Sequence, residues 1–126
     1  MGYEPEGKRV DYTAQTAALS VENVLRVLDG RWKLMILFQL FGGQVKRFSE
    51  LERAVSGISQ KMLIQQLRQL EADGAVSRIT HAQVPPLVDY YLTEWGQRLC
   101  PVLDSMLQWA EDAPTEVRER LIVTGE

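Results

Sequence analysis

Between Gly57 and Gly74 the chain reads GISQKMLIQQLRQLEADG, a stretch with one good local solution. Leu63, Leu67 and Leu70 recur at i, i+4 and i+7, the apolar stripe of an α-helix. Ser59 offers an N-cap hydroxyl to a free amide of the first turn, and Gly74 offers the left-handed residue that closes a helix. At about 100° per residue, the side away from the leucines carries Lys61, Gln65, Arg68 and Gln69, with Gln60 at its leading end. No acid falls on that side before Glu71. Gln and Arg can pair in bidentate fashion with adenine and guanine edges, although such faces also occur on ordinary solvated helices. The neighbouring segments decide between the two.

Upstream, Phe48, Leu51 and Ala54 supply the apolar side of a short helix, for which Ser49 and Glu52 have capping-box spacing. The link Val55-Ser56-Gly57-Ile58 is a turn with a glycine, so the two helices form a helix-turn-helix pattern. The preceding segment from Arg31 to Phe41, RWKLMILFQLF, is apolar on most sides and is expected to be a central helix, with Trp32 as a core anchor. Gly42-Gly43 breaks it, and Val45-Lys46-Arg47 is expected to form a short strand. Ser20 is expected to cap the first firm helix, with Val21, Val24, Leu25 and Leu28 apolar at helical spacing and Gly30 at its end. Residues 1–19 are expected to be an N-terminal tail or arm, with a weak helical signal from Asp11 to Leu19.

Downstream, Val76 to Thr80 alternates apolar and polar as a half-exposed strand does, and Val88 to Leu92 is its partner. Pro85-Pro86 cannot donate ladder hydrogen bonds and belongs in the connecting loop. A helix-turn-helix followed directly by a hairpin is a winged helix. Thr93 caps a last long helix, TEWGQRLCPVLDSMLQWAEDA, in which Pro101 should cause a bend. Its apolar residues, from Trp95 to Ala110, cover an arc of roughly 160°, wider than one packing seam requires. The excess either meets a second chain or is covered by the amphipathic segment PTEVRERLIV, residues 114–123. The expected class is therefore mainly α with a small β-hairpin wing: an arm at 1–19, a winged helix-turn-helix with its C-terminal helix at 20–112, and a C-terminal extension at 113–126.

A net charge of −3 argues at first sight against a nucleic-acid partner. The charge is unevenly placed. Residues 31–81 carry eight basic and four acidic side chains, whereas both flanking segments are acidic. A local basic face matters more for steering than the global sum. The 126 residues fit one domain, and no apolar run approaches the ~18 residues of a membrane span. The start, MGYEPEGKRVDY, lacks the apolar core of a signal peptide, so a cytoplasmic location and no membrane partner are expected. The single cysteine, Cys100, excludes an internal disulfide framework.

The chain also resembles the HxlR-type winged helix-turn-helix regulators, which are MarR-like, from about Val21 to Ala110. The resemblance rests on Gly30-Arg31-Trp32, Arg47-Phe48-Ser49-Glu50-Leu51, Gly57 to Leu63, Leu70 to Gly74, Val84-Pro85-Pro86, Leu92-Thr93-Glu94 and Pro101-Val102-Leu103. It implies a homodimeric transcriptional repressor or activator that pairs through its N- and C-terminal helices and binds a pseudo-palindromic operator in double-stranded DNA. It further implies that Ser59, Gln60, Lys61, Gln65 and Arg68 face the major groove, that Arg47 is placed for a phosphate, and that Arg78 is the principal wing cation. The dimer interface would then involve Val24, Leu28, Trp95, Leu99, Met106 and Trp109. Four positions depart from the pattern. Leu19-Ser20 stands where the family often has a redox-active Cys-Pro pair, which removes support for a thiol switch of that type. Ile64 replaces a commoner hydroxyl residue and either touches a thymine methyl or packs. Leu87 replaces a frequent basic residue, which weakens the wing's phosphate grip, and Asp29 replaces a glycine.

No H-E-x-x-H, P-loop or G-x-G-x-x-G pattern is present, and His81 is expected to be a solvated side chain. Neither an enzyme, a metal site nor a cofactor is expected. The weak wing and acidic termini motivate one alternative, a protein-interaction module. A regulator sensing a small-molecule effector near Trp95, Met106 and Trp109 is another.

Overall fold

A computed structural model describes residues 4–125. Its helices are α1 (Ala14–Leu28), α2 (Lys33–Gln39), α3 (Phe48–Ala54), α4 (Gln60–Ala72), α5 (Glu94–Gln97), α6 (Leu99–Glu111) and α7 (Thr115–Leu121). Strands β1 (Lys46–Arg47), β2 (Val76–His81) and β3 (Leu87–Leu92) form an antiparallel sheet in the order β1-β3-β2. The expected winged helix is present, with a third short strand added to the hairpin.

The stretch from Gly57 to Gly74 folds as its residues dictate. Ser59 Oγ accepts from the Met62 amide at 3.1 Å, and Gly74 takes φ +83° just beyond the helix. Leu63, Leu67 and Leu70 are buried. They meet Ile36 and Leu37 of α2, Leu40 at its C-cap, Leu51 and Val55 around α3, Val76, Tyr90 and Leu92 of the sheet, and Leu103 of α6 in one core. Trp32 packs against this core as expected, with the Arg31 guanidinium 4.6 Å from its ring centroid.

Several boundaries differ from the expected ones. Helix α1 starts at Ala14, capped by Thr13: Thr13 Oγ1 accepts from the Thr16 amide at 3.1 Å, and Thr16 Oγ1 accepts from the Thr13 amide at 2.9 Å. Ser20 therefore lies inside a helix that reaches back across the expected arm. Helix α3 starts at Phe48, and the box joins Glu50 Oε1 to the Arg47 amide at 2.8 Å in place of Ser49 and Glu52. Pairing of Lys46 and Arg47 with β3 holds Arg47 extended, so the helix begins directly after it. The long C-terminal helix divides at Arg98. Pro101 has no N–H to donate to the Gln97 carbonyl and its ring crowds that group, so the interruption falls one turn ahead of the proline.

Helix α2 is not buried all round. Leu34, Met35 and Phe38 are exposed, and Phe38 stacks on Phe41 at 4.4 Å between ring centroids. The protomer supplies enough apolar surface to cover one side of this helix only. Leu28 also departs from its expected place. At 9% exposure it is the one buried residue of α1 and belongs chiefly to the protomer's own core, showing only an edge to the groove between α1 and α5–α6.

Thr93 joins the wing to α5. Its hydroxyl donates to the Gly74 carbonyl at 2.6 Å and accepts from the Gly96 amide at 2.9 Å. A side chain at Gly96 would run into the Ala75 carbonyl oxygen, so only glycine allows α5 this close to β2. Among the described residues, no helix is long and apolar enough to cross a membrane.

Candidate nucleic-acid interface

Because the leucine stripe of α4 is anchored in the core, the opposite side is fixed outward. Ser59, Gln60, Lys61, Gln65, Arg68 and Gln69 are all exposed. Ile64 is half-buried in their midst, and together with five of them it lines an open depression. Among the described residues, Lys61 and Arg68 enter no ion pair. Their charge is therefore available to an outside anion, and the amides beside them are available to base edges.

The other two expected cations are placed differently. Arg78 of β2 reaches α4, with Nε 3.1 Å from Oε1 of Glu71. Both residues line a groove between α4 and the sheet, where Tyr90 lies opposite Arg78 in the ladder. Burial raises the Tyr90 phenol above its ordinary pKa. Glu71 adds to the rise, and Arg78 and Arg68 oppose it. Arg47 faces Asp89 across the β1–β3 ladder, and its Nε lies 3.7 Å from Asp89 Oδ1. Alternation along β3 puts Asp89 on the face opposite Tyr90, so Arg47 does not share the surface of α4. The other Asp89 oxygen is 2.7 Å from His81 Nε2. His81, expected to be simply solvated, thus has a carboxylate partner across the hairpin. Among the described residues, no group of three or more His, Cys, Asp or Glu is placed to hold a metal ion.

A second, apolar surface lies away from α4. Val24 of α1, at 53% exposure, and Val102, Met106, Leu107 and Trp109 of α6 all face outward, Trp109 at 74%. Helix α7 touches α6 but leaves these side chains uncovered. A groove of about 420 Å³ between α1 and α5–α6 is lined by Val24, Val27, Leu28, Trp95, Leu99 and Val102. Met106 and Trp109 lie outside it.

Residues 27–117, from the end of α1 to α7, match the family model described as HxlR-like helix-turn-helix. The chain belongs to the HxlR-like helix-turn-helix family of transcriptional regulators. It is 52% identical over 91 residues to the HTH-type transcriptional regulator YtcD of Bacillus subtilis, covering 72% of this chain and 71% of the relative. A solved structure of a MarR-family transcriptional regulator from Enterococcus faecalis V583 aligns with a TM-score of 0.72 at 38% identity, over 85% of this chain and 92% of that one. The redox regulator HypR in its reduced form aligns with a TM-score of 0.68 at 46% identity, over 73% and 90%. This HxlR-like chain has Cys100 as its one cysteine, half-buried against the core in α6.

In HxlR terms, the α4 residues named from the sequence come together on one surface, Arg78 adjoins it, and Arg47 stands apart. Sequence reasoning missed the carboxylates Glu71 and Asp89 as partners of the outer cations. The signal for Glu71 was faint, three residues after Arg68 on the same helix. For Asp89 there was none until the strand register was known.

Proposed function

We propose that this HxlR-like regulator binds a pseudo-palindromic operator as a homodimer in the cytoplasm, with α4 of each protomer in a major groove. The carrying observation is the outward surface of Gln60, Lys61, Gln65, Arg68 and Gln69, held by a buried leucine stripe on the same helix. Ser59 sits at the helix N-terminus, where its exposed edge can meet a phosphate or a base. Arg78 adjoins the site as a phosphate contact, Arg47 meets a phosphate further along the duplex from the other sheet face, and the α4 side chains discriminate between bases. The exposed apolar residues of α1, α5 and α6, including Val24, Trp95, Met106 and Trp109, support pairing of two copies. Half-sites would then lie about one helical turn apart, or a multiple of it.

Selection of bound duplexes from a random pool, followed by anisotropy titrations across a salt series, tests this proposal. A two-fold symmetric consensus and a steep fall of log affinity with log salt are expected. No binding to any duplex at low salt would favour a protein-interaction module, an alternative supported by the neutralisation of Arg47 and Arg78 by Asp89 and Glu71. The apolar groove beside Trp95 supports a second alternative, a small-molecule effector acting at the interface. A compound that shifts both the melt and operator affinity would establish it.

A further inference from the structure

We infer that Ile64 selects thymine at one position of each half-site by contact with the 5-methyl group, an inference that rests on α4 being the helix that enters the groove. Ile64 lies one turn after Gln60 and Lys61 and one turn before Arg68, midway along the helix, at the edge where the outward surface meets the leucine stripe. It is half-buried, yet it is not among the half-buried apolar residues that pack against the core, as Phe48, Met62 and Val88 do. The core positions on this helix are already taken by Leu63, Leu67 and Leu70. Ile64 instead borders two openings, the depression shared with Lys61, Gln65 and Gln69 and the groove that runs toward Val88 and Tyr90.

A branched apolar group surrounded by donors and acceptors can neither give nor accept a hydrogen bond. In the floor of a major groove, the one apolar feature it can bury is the thymine methyl. Branching at Cβ confines the side chain to one strongly preferred rotamer in a helix, so its methyl groups are already positioned and little side-chain freedom is lost on contact. Cytosine at the same position would bring no methyl and would turn its N4 donor toward a group that cannot accept it. The base is therefore read by shape and by the absence of a polar partner, beside neighbours that read by hydrogen bonds.

The test uses the full-length protein and its selected duplex, with each thymine of a half-site replaced in turn by deoxyuridine. This substitution removes the methyl and keeps every hydrogen-bonding group. For the wild type, one thymine per half-site should show a loss of about fourfold, the value of one buried methyl group. Ile64→Ala should bind the thymine and uracil duplexes equally, and Ile64→Val, which keeps the branch, should retain part of the difference. Both variants should keep the wild-type melt to within a few degrees. Absence of any uracil-sensitive position, or a sensitivity that persists in full in Ile64→Ala, overturns the inference while leaving α4 as the groove helix. Failure of every duplex to bind would overturn the DNA proposal itself, and this inference with it.

Discussion

Arg78 Nε lies 3.1 Å from Glu71 Oε1, which ties the first wing strand to the last turn of α4. Both side chains keep solvent contact, at 55% and 25% exposure, so the pair contributes no more than about 1 kcal/mol to stability. Its larger effect is on charge. Glu71→Gln should leave the melt within about 4 °C of wild type while raising operator affinity a few-fold. The slope of log affinity against log salt should steepen by about one unit as Arg78 becomes free to meet a phosphate. An unchanged slope would exclude Arg78 as a phosphate contact.

Asp89 stands between Arg47 and His81 on the outer sheet face, with its side chain only 17% exposed. Asp89→Asn removes the negative charge that competes with DNA for Arg47, so it should strengthen binding, and Arg47→Ala should weaken it. The weakening should be similar for specific and random duplexes, because phosphate contacts carry no sequence information. Parallel titrations of both duplexes check this. An Arg47→Ala variant with wild-type affinity at low salt would remove Arg47 from the site.

Lys61→Ala and Arg68→Ala act on the outward surface of α4, the proposed reading face. Each should reduce operator affinity about tenfold, within the 1–3 kcal/mol range of a good side-chain contact to a base edge. Neither residue enters the core, so the melt and the dimer mass should not change. Anisotropy at fixed salt, with calorimetry and sedimentation on the same samples, separates a lost contact from a lost fold.

Two glycines should respond differently to alanine. At Gly74, φ is +83° and nothing lies within 4 Å of an added Cβ, so Gly74→Ala should cost about 1 kcal/mol of backbone strain alone. At Gly96 the added carbon meets the Ala75 backbone carbonyl, which cannot move without disturbing β2. Gly96→Ala should therefore cost roughly 3 kcal/mol, at the upper end for overpacking. Urea denaturation distinguishes the two costs.

The proposed dimer surface and the core are separable at two residues. Trp109 is 74% exposed in the protomer, so Trp109→Lys should spare the fold and shift the sedimenting species to monomer. Leu28 is buried, so Leu28→Ala should cost about 2–4 kcal/mol of protomer stability. A Trp109→Lys protein that remains dimeric at micromolar concentration would move the interface elsewhere.

Much of this protein was settled within short stretches of chain. The limits and outward face of α4 follow from Ser59, Gly74 and the leucine spacing, and the hairpin follows from alternation around Pro85-Pro86. Caps and periodicities act over a few residues, so they are present in the sequence whatever surrounds them. Thr13 with Thr16 is also a local cap, but the apolar stripe that would point to it becomes clear only after Ser20.

Other features required residues distant in sequence to be brought together. The strand pairing of Lys46 and Arg47 with β3 set the start of α3 one residue before Ser49, against the locally plausible box. Packing sent Leu28 inward and left Val24, one turn earlier on the same helix, in solvent. The pairings of Arg47 with Asp89 and Arg78 with Glu71 depend on strand register and on how α4 lies against the sheet. Such contacts form only when the core closes, because burial is a property of the whole assembly of elements and charge pairing depends on distances that no single segment contains.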